Sequence, residues 1–139
     1  MKSVCLITWK TADGTGGCIG LSFSTISAYG EHGAMCHYSA TEETNIPLEP
    51  KGLYLVDSGG QYYEGTTDIT RTIAVGPLKA EEKEHFTLVL MSMLRLGAVK
   101  FLHGCRGLSI DYVAREPLWS RGLNLNTVQA MGSAIFQAV

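Results

Sequence analysis

The sequence predicts an α+β fold, on three observations. Short β-like runs fill residues 21–75, helical spacing of apolar residues takes over near residue 80, and the two types do not alternate as a βαβ order would require. At 139 residues the chain is one domain or part of one, since domains usually run from about 50 to 250 residues.

The β-like runs are 21–27, 34–38, 52–56 and 67–75, separated by turns that contain Gly, Pro and Glu. Their short connections predict an antiparallel meander. Helical periodicity then places Phe86, Leu90, Met93, Leu94 and Gly97 at spacings of three and four, so a helix is expected over 80–99 with that face inward. Met91 and Met93 read as core filler. A second helix is expected over 108–118, with Val113 and Leu118 turned inward.

Composition excludes several classes. Forty-five per cent hydrophobic and 17% charged residues are near globular averages, so a disordered chain is not indicated. A formal net charge of -2 provides no clustered basic face for DNA or RNA, and no nucleic-acid partner is expected. No apolar stretch approaches the roughly 20 residues of a spanning helix, and the run over 4–9 is shorter than a signal-peptide core. No membrane partner is expected.

Cys5, Cys18, Cys36 and Cys105 are widely spaced and contain no CxxC pair, which suggests neither a zinc ribbon nor a disulfide framework and fits a reducing, cytoplasmic compartment. The glycine-rich run 13–17 has the wrong spacing and context for a phosphate loop and reads as a flexible turn.

Chemistry concentrates in residues 55–72, LVDSGGQYYEGTTDITRT. An apolar strand delivers Asp57 to its end, a glycine-rich connection returns the chain, and Asp68 opens the next strand. Two carboxylates placed this way can meet on one face of the ladder. Oxygen donors so arranged suit hard or borderline divalent cations. Spacing alone does not distinguish such a pair from ordinary turn acids, because Asp is frequent wherever strands end.

The wording around the two acids distinguishes them. DSGGQYYEGTTDITRT closely resembles the metal-binding hairpin of the aminopeptidase P (Xaa-Pro aminopeptidase) branch of the pita-bread metallopeptidases. Residues 21–27, LSFSTIS, resemble a strand of that family, and 33–38, GAMCHY, resemble the next, followed by Glu43, Thr44 and Asn45 as in eukaryotic-type members. Glu82, Lys83 and Glu84 with Phe86 and Thr87 are similar to the family's following helix, and Ala114 and Arg115 with Pro117, Leu118 and Trp119 to the one after. The likeness covers residues 19–126.

The resemblance implies a pita-bread fold, here truncated, with a curved antiparallel sheet and helices on one face. It implies a metalloaminopeptidase that releases the N-terminal residue of peptides with proline in second position. Its cofactor would be two divalent ions, Mn2+ or alternatively Zn2+, and a homodimeric parent is open. Asp57 and Asp68 match the first two metal ligands, and His37 matches an active-site histidine that contacts substrate. Read alone, a histidine on a strand is more often an ordinary core or surface group; its HY context sets His37 apart. His32, His85 and His103 are expected at the surface, and Tyr62 and Tyr63 as packing residues of the hairpin.

The family completes its site with a histidine from an HGTGHGxG strand and two later glutamates, and none of these occurs in this sequence. On that ground the 139-residue chain is expected to be inactive by itself, with a non-catalytic peptide-binding protein or a non-functional truncated product as the alternative. Residues 1–18 are an unmatched leader. The tail 127–139 is also unmatched, and its residues 127–136 permit an out-of-frame reading of the missing motif, a fit that lapses after Phe136.

Overall fold

The computed structural model describes residues 18–124, so the expected leader and tail lie outside the described residues, apart from Cys18. The chain divides after Pro77 into two units.

Among the described residues, the first unit holds five strands. β1 (Cys18–Leu21) pairs antiparallel with β4 (Gly60–Tyr62), with a bulge between Cys18 and Gly20. β2 (Ile26–Tyr29), β3 (Leu53–Ser58) and β5 (Ile69–Ala74) form a second antiparallel sheet in the order β2-β3-β5. β-branched Ile69, Thr70, Thr72 and Ile73 dominate β5, and β3 adds Tyr54 and Val56 beside two leucines, a composition that suits a pleated, half-buried surface. Ala28, only 1% exposed, sits opposite Leu55 at the centre of the sheet. A small residue there lets neighbouring groups close over the strand. Across β2 and β3, the Ser27 and Tyr54 hydroxyls lie 2.8 Å apart.

The connection from β2 to β3 departs from the simple meander. Residues 34–38 form no strand. Gly30–Ala34 is a 3-10 turn instead, opened by Gly30 at φ 58, and a further turn follows at Cys36 and His37. His37 itself has φ 54, a left-handed conformation that no extended strand contains. The run Gly33, Ala34, Met35 and Cys36 lacks the polar alternation that separates a half-buried strand from other apolar segments. The run expected over 21–27 is likewise interrupted, with β1 ending at Leu21 and β2 starting at Ile26, and β4 forms within the expected glycine-rich connection.

Three of the minor expectations are corrected here. His32 is half-buried and stacked on Tyr38, with ring centroids 4.6 Å apart, and its Nδ1 is buried without a hydrogen-bond partner. His85 is half-buried and His103 exposed. Tyr62 is half-buried as a packing residue should be, whereas Tyr63 is 85% exposed and packs on little.

The described residues of the second unit form a pair of helices, α1 (Ala80–Ala98) and α2 (Gly107–Trp119). The backbone N–H of Lys79 donates to the Glu82 carboxylate over 2.7 Å, which satisfies one of the donors that a helix start leaves open. Leu96 and Ala114 form the core between the helices, with Met93, Val99 and Ile110 packed around them. Exposed ion pairs, Arg95 with Glu116 and Arg121 with Glu84, flank this core. Such pairs contribute about 0–1 kcal/mol, so packing carries the unit.

The helices fall where the sequence placed them, but the inward face of α1 does not. Leu88, Ser92 and Leu96 are buried, while Phe86, Leu90 and Leu94 are 41%, 41% and 59% exposed. Apolar residues occur around most of α1, so periodicity alone offers two phases, and contact with Ala114 selects the one through Leu96.

Candidate metal centre

The register of β3 against β5 places the acids. Asp57 lies directly opposite Thr70, and Asp68 precedes Thr70 by two residues. Asp68 lies one residue before β5 and is exposed, and its carboxylate comes close enough to Asp57 to share a hydrogen bond with it. A direct pair has its Cβ atoms about 4.5–5.5 Å apart, and a diagonal neighbour lies within about 7–8 Å, still within reach of a carboxylate.

The turn between the acids is held on both arms. The Gly60 N–H donates to the Thr67 hydroxyl and the Thr67 N–H to the Gly60 carbonyl, each over 2.9 Å. Farther out, the Tyr62 N–H donates to the Gly65 carbonyl over 2.9 Å, and the Thr66 hydroxyl to Gln61 Oε1 over 2.8 Å. Gly59 is buried, and a Cβ there would lie 2.0 Å from the Thr67 carbonyl oxygen. Only glycine permits that approach. Asp57 and Asp68 therefore leave a rigid turn rather than a loose loop.

Electrostatics single out Asp57. Its pKa is raised, first by burial, which disfavours the charged carboxylate. A hydrogen bond from the Thr70 hydroxyl opposes this by favouring the ionised form. The Asp68 carboxylate raises the pKa again, both by like-charge repulsion and by sharing a hydrogen bond, while nearby His37 lowers it. Asp57 Oδ1 is buried with no hydrogen-bond partner. A buried acceptor left unmatched costs free energy.

These features fit a divalent cation. It would partner the orphan oxygen, cancel the repulsion between two close acids and draw on oxygen donors of the type hard cations prefer. Among the described residues, no three His, Cys, Asp or Glu side chains form a group that could hold a metal ion. His37 is exposed and acts on Asp57 through its charge.

The expected trio is thus brought together: Asp57 and Asp68 share a hydrogen bond, and His37 lies within electrostatic range. The sequence reading missed Thr70, whose signal was its spacing of two from Asp68. It also missed Ser22, whose hydroxyl donates to the Thr67 carbonyl over 2.9 Å and whose N–H donates to the Gly59 carbonyl over 3.1 Å.

Residues 5–136 match metallopeptidase family M24, and the chain belongs to that family. Its partial α+β architecture of antiparallel sheets and two helices is the pita-bread fold of solved members. The chain is 50% identical over 105 residues to aminopeptidase P1 of Lotus japonicus and 47% identical over 105 residues to aminopeptidase P1 of Arabidopsis thaliana. Each match covers 76% of this chain and 16% of the relative. The chain therefore spans about a sixth of the length of these relatives. It superposes on an X-prolyl aminopeptidase from Caenorhabditis elegans with a TM-score of 0.72 and 38% identity, over 79% of this chain and 18% of that one. The nematode protein is described as a cytosolic enzyme with a di-nuclear active site. A prolidase from Pyrococcus furiosus superposes with a TM-score of 0.66 and 30% identity, over 76% of this chain and 30% of that one.

Proposed function

We propose that residues 19–126 are the leading part of a catalytic domain that releases the N-terminal residue from peptides with proline in second position. The observation that carries this reading is the convergence of Asp57, Asp68, Thr70 and His37 in a chain of the M24 family. Asp57 and Asp68 would hold two divalent ions, with Mn2+ favoured over Zn2+ because both donors are oxygens. Two such ions supply charge stabilisation at a scissile carbonyl and a nucleophile at neutral pH.

The chain's own residues have distinct tasks in that scheme. Thr70 favours the ionised form of Asp57 and fixes its orientation. His37, exposed beside the acids, is placed to hydrogen-bond the peptide rather than to ligate. The working site would lie in the cytoplasm, as that of the nematode relative does, and act on peptides as a homodimer.

A second reading has its own support. The described residues contain no third ligand, so the 139-residue chain alone is expected to bind metal weakly and turn over nothing. In that form it would be a non-catalytic peptide-binding protein or a non-functional product.

A chimera tests both readings. Residues 19–126 replace the matching segment of the Lotus japonicus aminopeptidase P1, and Mn2+ content and Xaa-Pro peptide cleavage are measured. Cleavage that disappears in Asp57→Ala and in Asp68→Ala supports the catalytic reading. A folded chimera that binds Mn2+ but leaves peptides intact supports the non-catalytic one. Cleavage by the 139-residue chain itself, lost in Asp57→Ala, would show that the chain is a complete catalyst.

A further inference from the structure

We propose that Ser22, in the link between β1 and β2, is a positioning residue that sets the separation of the Asp57 and Asp68 carboxylates for a divalent cation. This rests on the metal-binding reading above.

Ser22 makes two hydrogen bonds, one to each arm of the acid hairpin. Its backbone N–H donates to the carbonyl of Gly59, two residues beyond Asp57. Its hydroxyl donates to the carbonyl of Thr67, the residue just before Asp68. The two arms also bond to each other between Gly60 and Thr67. The Gly59 Cα faces both the Thr67 carbonyl and Ser22: a Cβ built there would lie 2.0 Å from the first and 2.3 Å from the Ser22 Oγ. The three segments are therefore in contact with no slack, and a displacement of Ser22 is transmitted to the backbone next to each acid.

A carboxylate pair that must share cations needs its spacing fixed by groups that do not themselves touch the metal. Ser22 meets that description. It carries no charge and reaches neither acid through any bond in the structure, yet it ties the ends of the segment that separates them.

The test measures Mn2+ affinity of the 139-residue chain from the paramagnetic resonance of free Mn2+, together with the thermal midpoint. The parent chain is expected to bind weakly, with Kd on the order of 0.1–1 mM, as sparsely liganded oxygen sites do. Ser22→Ala removes the hydroxyl bond alone and should weaken binding about tenfold, the loss typical of an outer-shell change. Ser22→Thr, which restores a hydroxyl, should return within about threefold of the parent.

Tyr29→Phe is the control. It removes the hydroxyl bond from Tyr29 to the Lys51 carbonyl, at the end of β2 far from Asp57, and should leave Mn2+ affinity unchanged whatever it does to the thermal midpoint. Parent-like affinity in Ser22→Ala, or an equal loss in Tyr29→Phe, overturns the role of Ser22. If Ser22→Ala does not melt cooperatively, Ser22→Cys takes its place, with an expected weakening of about threefold and parent-like affinity again counting against the proposal. Failure of the metal reading is recognised separately: Asp57→Ala and Asp68→Ala would then bind Mn2+ as the parent does, or the parent would bind none.

Discussion

Asp57 and Thr70 face each other across the β3–β5 ladder, and the Thr70 hydroxyl favours the ionised Asp57 carboxylate against the burial that disfavours it. Thr70→Val keeps the β-branched shape and removes the donor. Mn2+ binding should weaken about tenfold at neutral pH, and the loss should shrink as pH rises, since higher pH ionises Asp57 without help. Titration calorimetry at two pH values checks this. An equal loss at both would mean that Thr70 acts only through packing.

Burial sets the sign of the Asp57 contribution to stability. The Asp57 pKa is raised in the folded chain, so its contribution to stability is fully present below its unfolded value and is lost as pH rises through the folded value. The metal-free chain should therefore be destabilised by Asp57 at neutral pH. Asp57→Asn removes the charge and the repulsion from Asp68, and should raise stability at pH 7 by about 0.5 kcal/mol, a small figure because solvent screens a half-exposed group. The gain should shrink as pH falls and the wild-type carboxyl takes up its proton. Mn2+ binding should be lost in the same variant, which chemical denaturation with and without Mn2+ would reveal.

The acid pair was legible in the sequence because its information is local: an apolar strand, a glycine turn and a spacing that returns Asp68 to Asp57. Thr70 was equally local and was overlooked. Ser22 was not legible, because it bonds to Thr67 across 45 positions and nothing near it signals that contact. The two helices were readable from periodicity, but the phase of α1 was not, since its partner Ala114 decides between two apolar faces. Residues 34–38 were misread because His37 takes a left-handed backbone that its side chain does not announce.

Gly59 and Gly65 stand on the same hairpin with opposite tolerance. A Cβ at Gly59 would lie 2.0 Å from backbone, which cannot yield as a flexible side chain would, whereas nothing lies within 4 Å of one at Gly65. Gly59→Ala should cost roughly 1–3 kcal/mol or more and displace the turn between the acids. Gly65→Ala should be neutral, or stabilising by up to about 1 kcal/mol through lower freedom of the unfolded chain. Paired denaturant titrations decide it. Similar losses in both would mean that the turn is less closely packed around Gly59.

His37 combines strain with a place beside the acids. Its φ of 54 crowds the Cβ of any residue except glycine, a cost of roughly 1–2 kcal/mol for a side chain of the wrong kind. Strain of this sort persists where the surrounding structure enforces it, and next door Tyr38 is buried, stacked on His32 and bonded through its hydroxyl to the Thr44 carbonyl over 3.0 Å. The ordinary order of Ala above Gly should therefore invert at this position, with His37→Gly more stable than His37→Ala by about 1 kcal/mol. Both variants remove the imidazole that lowers the Asp57 pKa, so both should shift Mn2+ binding to higher pH. In the chimera both should retain their metal at saturating Mn2+ and lose most of their turnover, because His37 is assigned to the peptide and not to the ion. Metal lost from either variant at saturating Mn2+ would make His37 a ligand. Full turnover in both would leave its strained backbone without a catalytic reason.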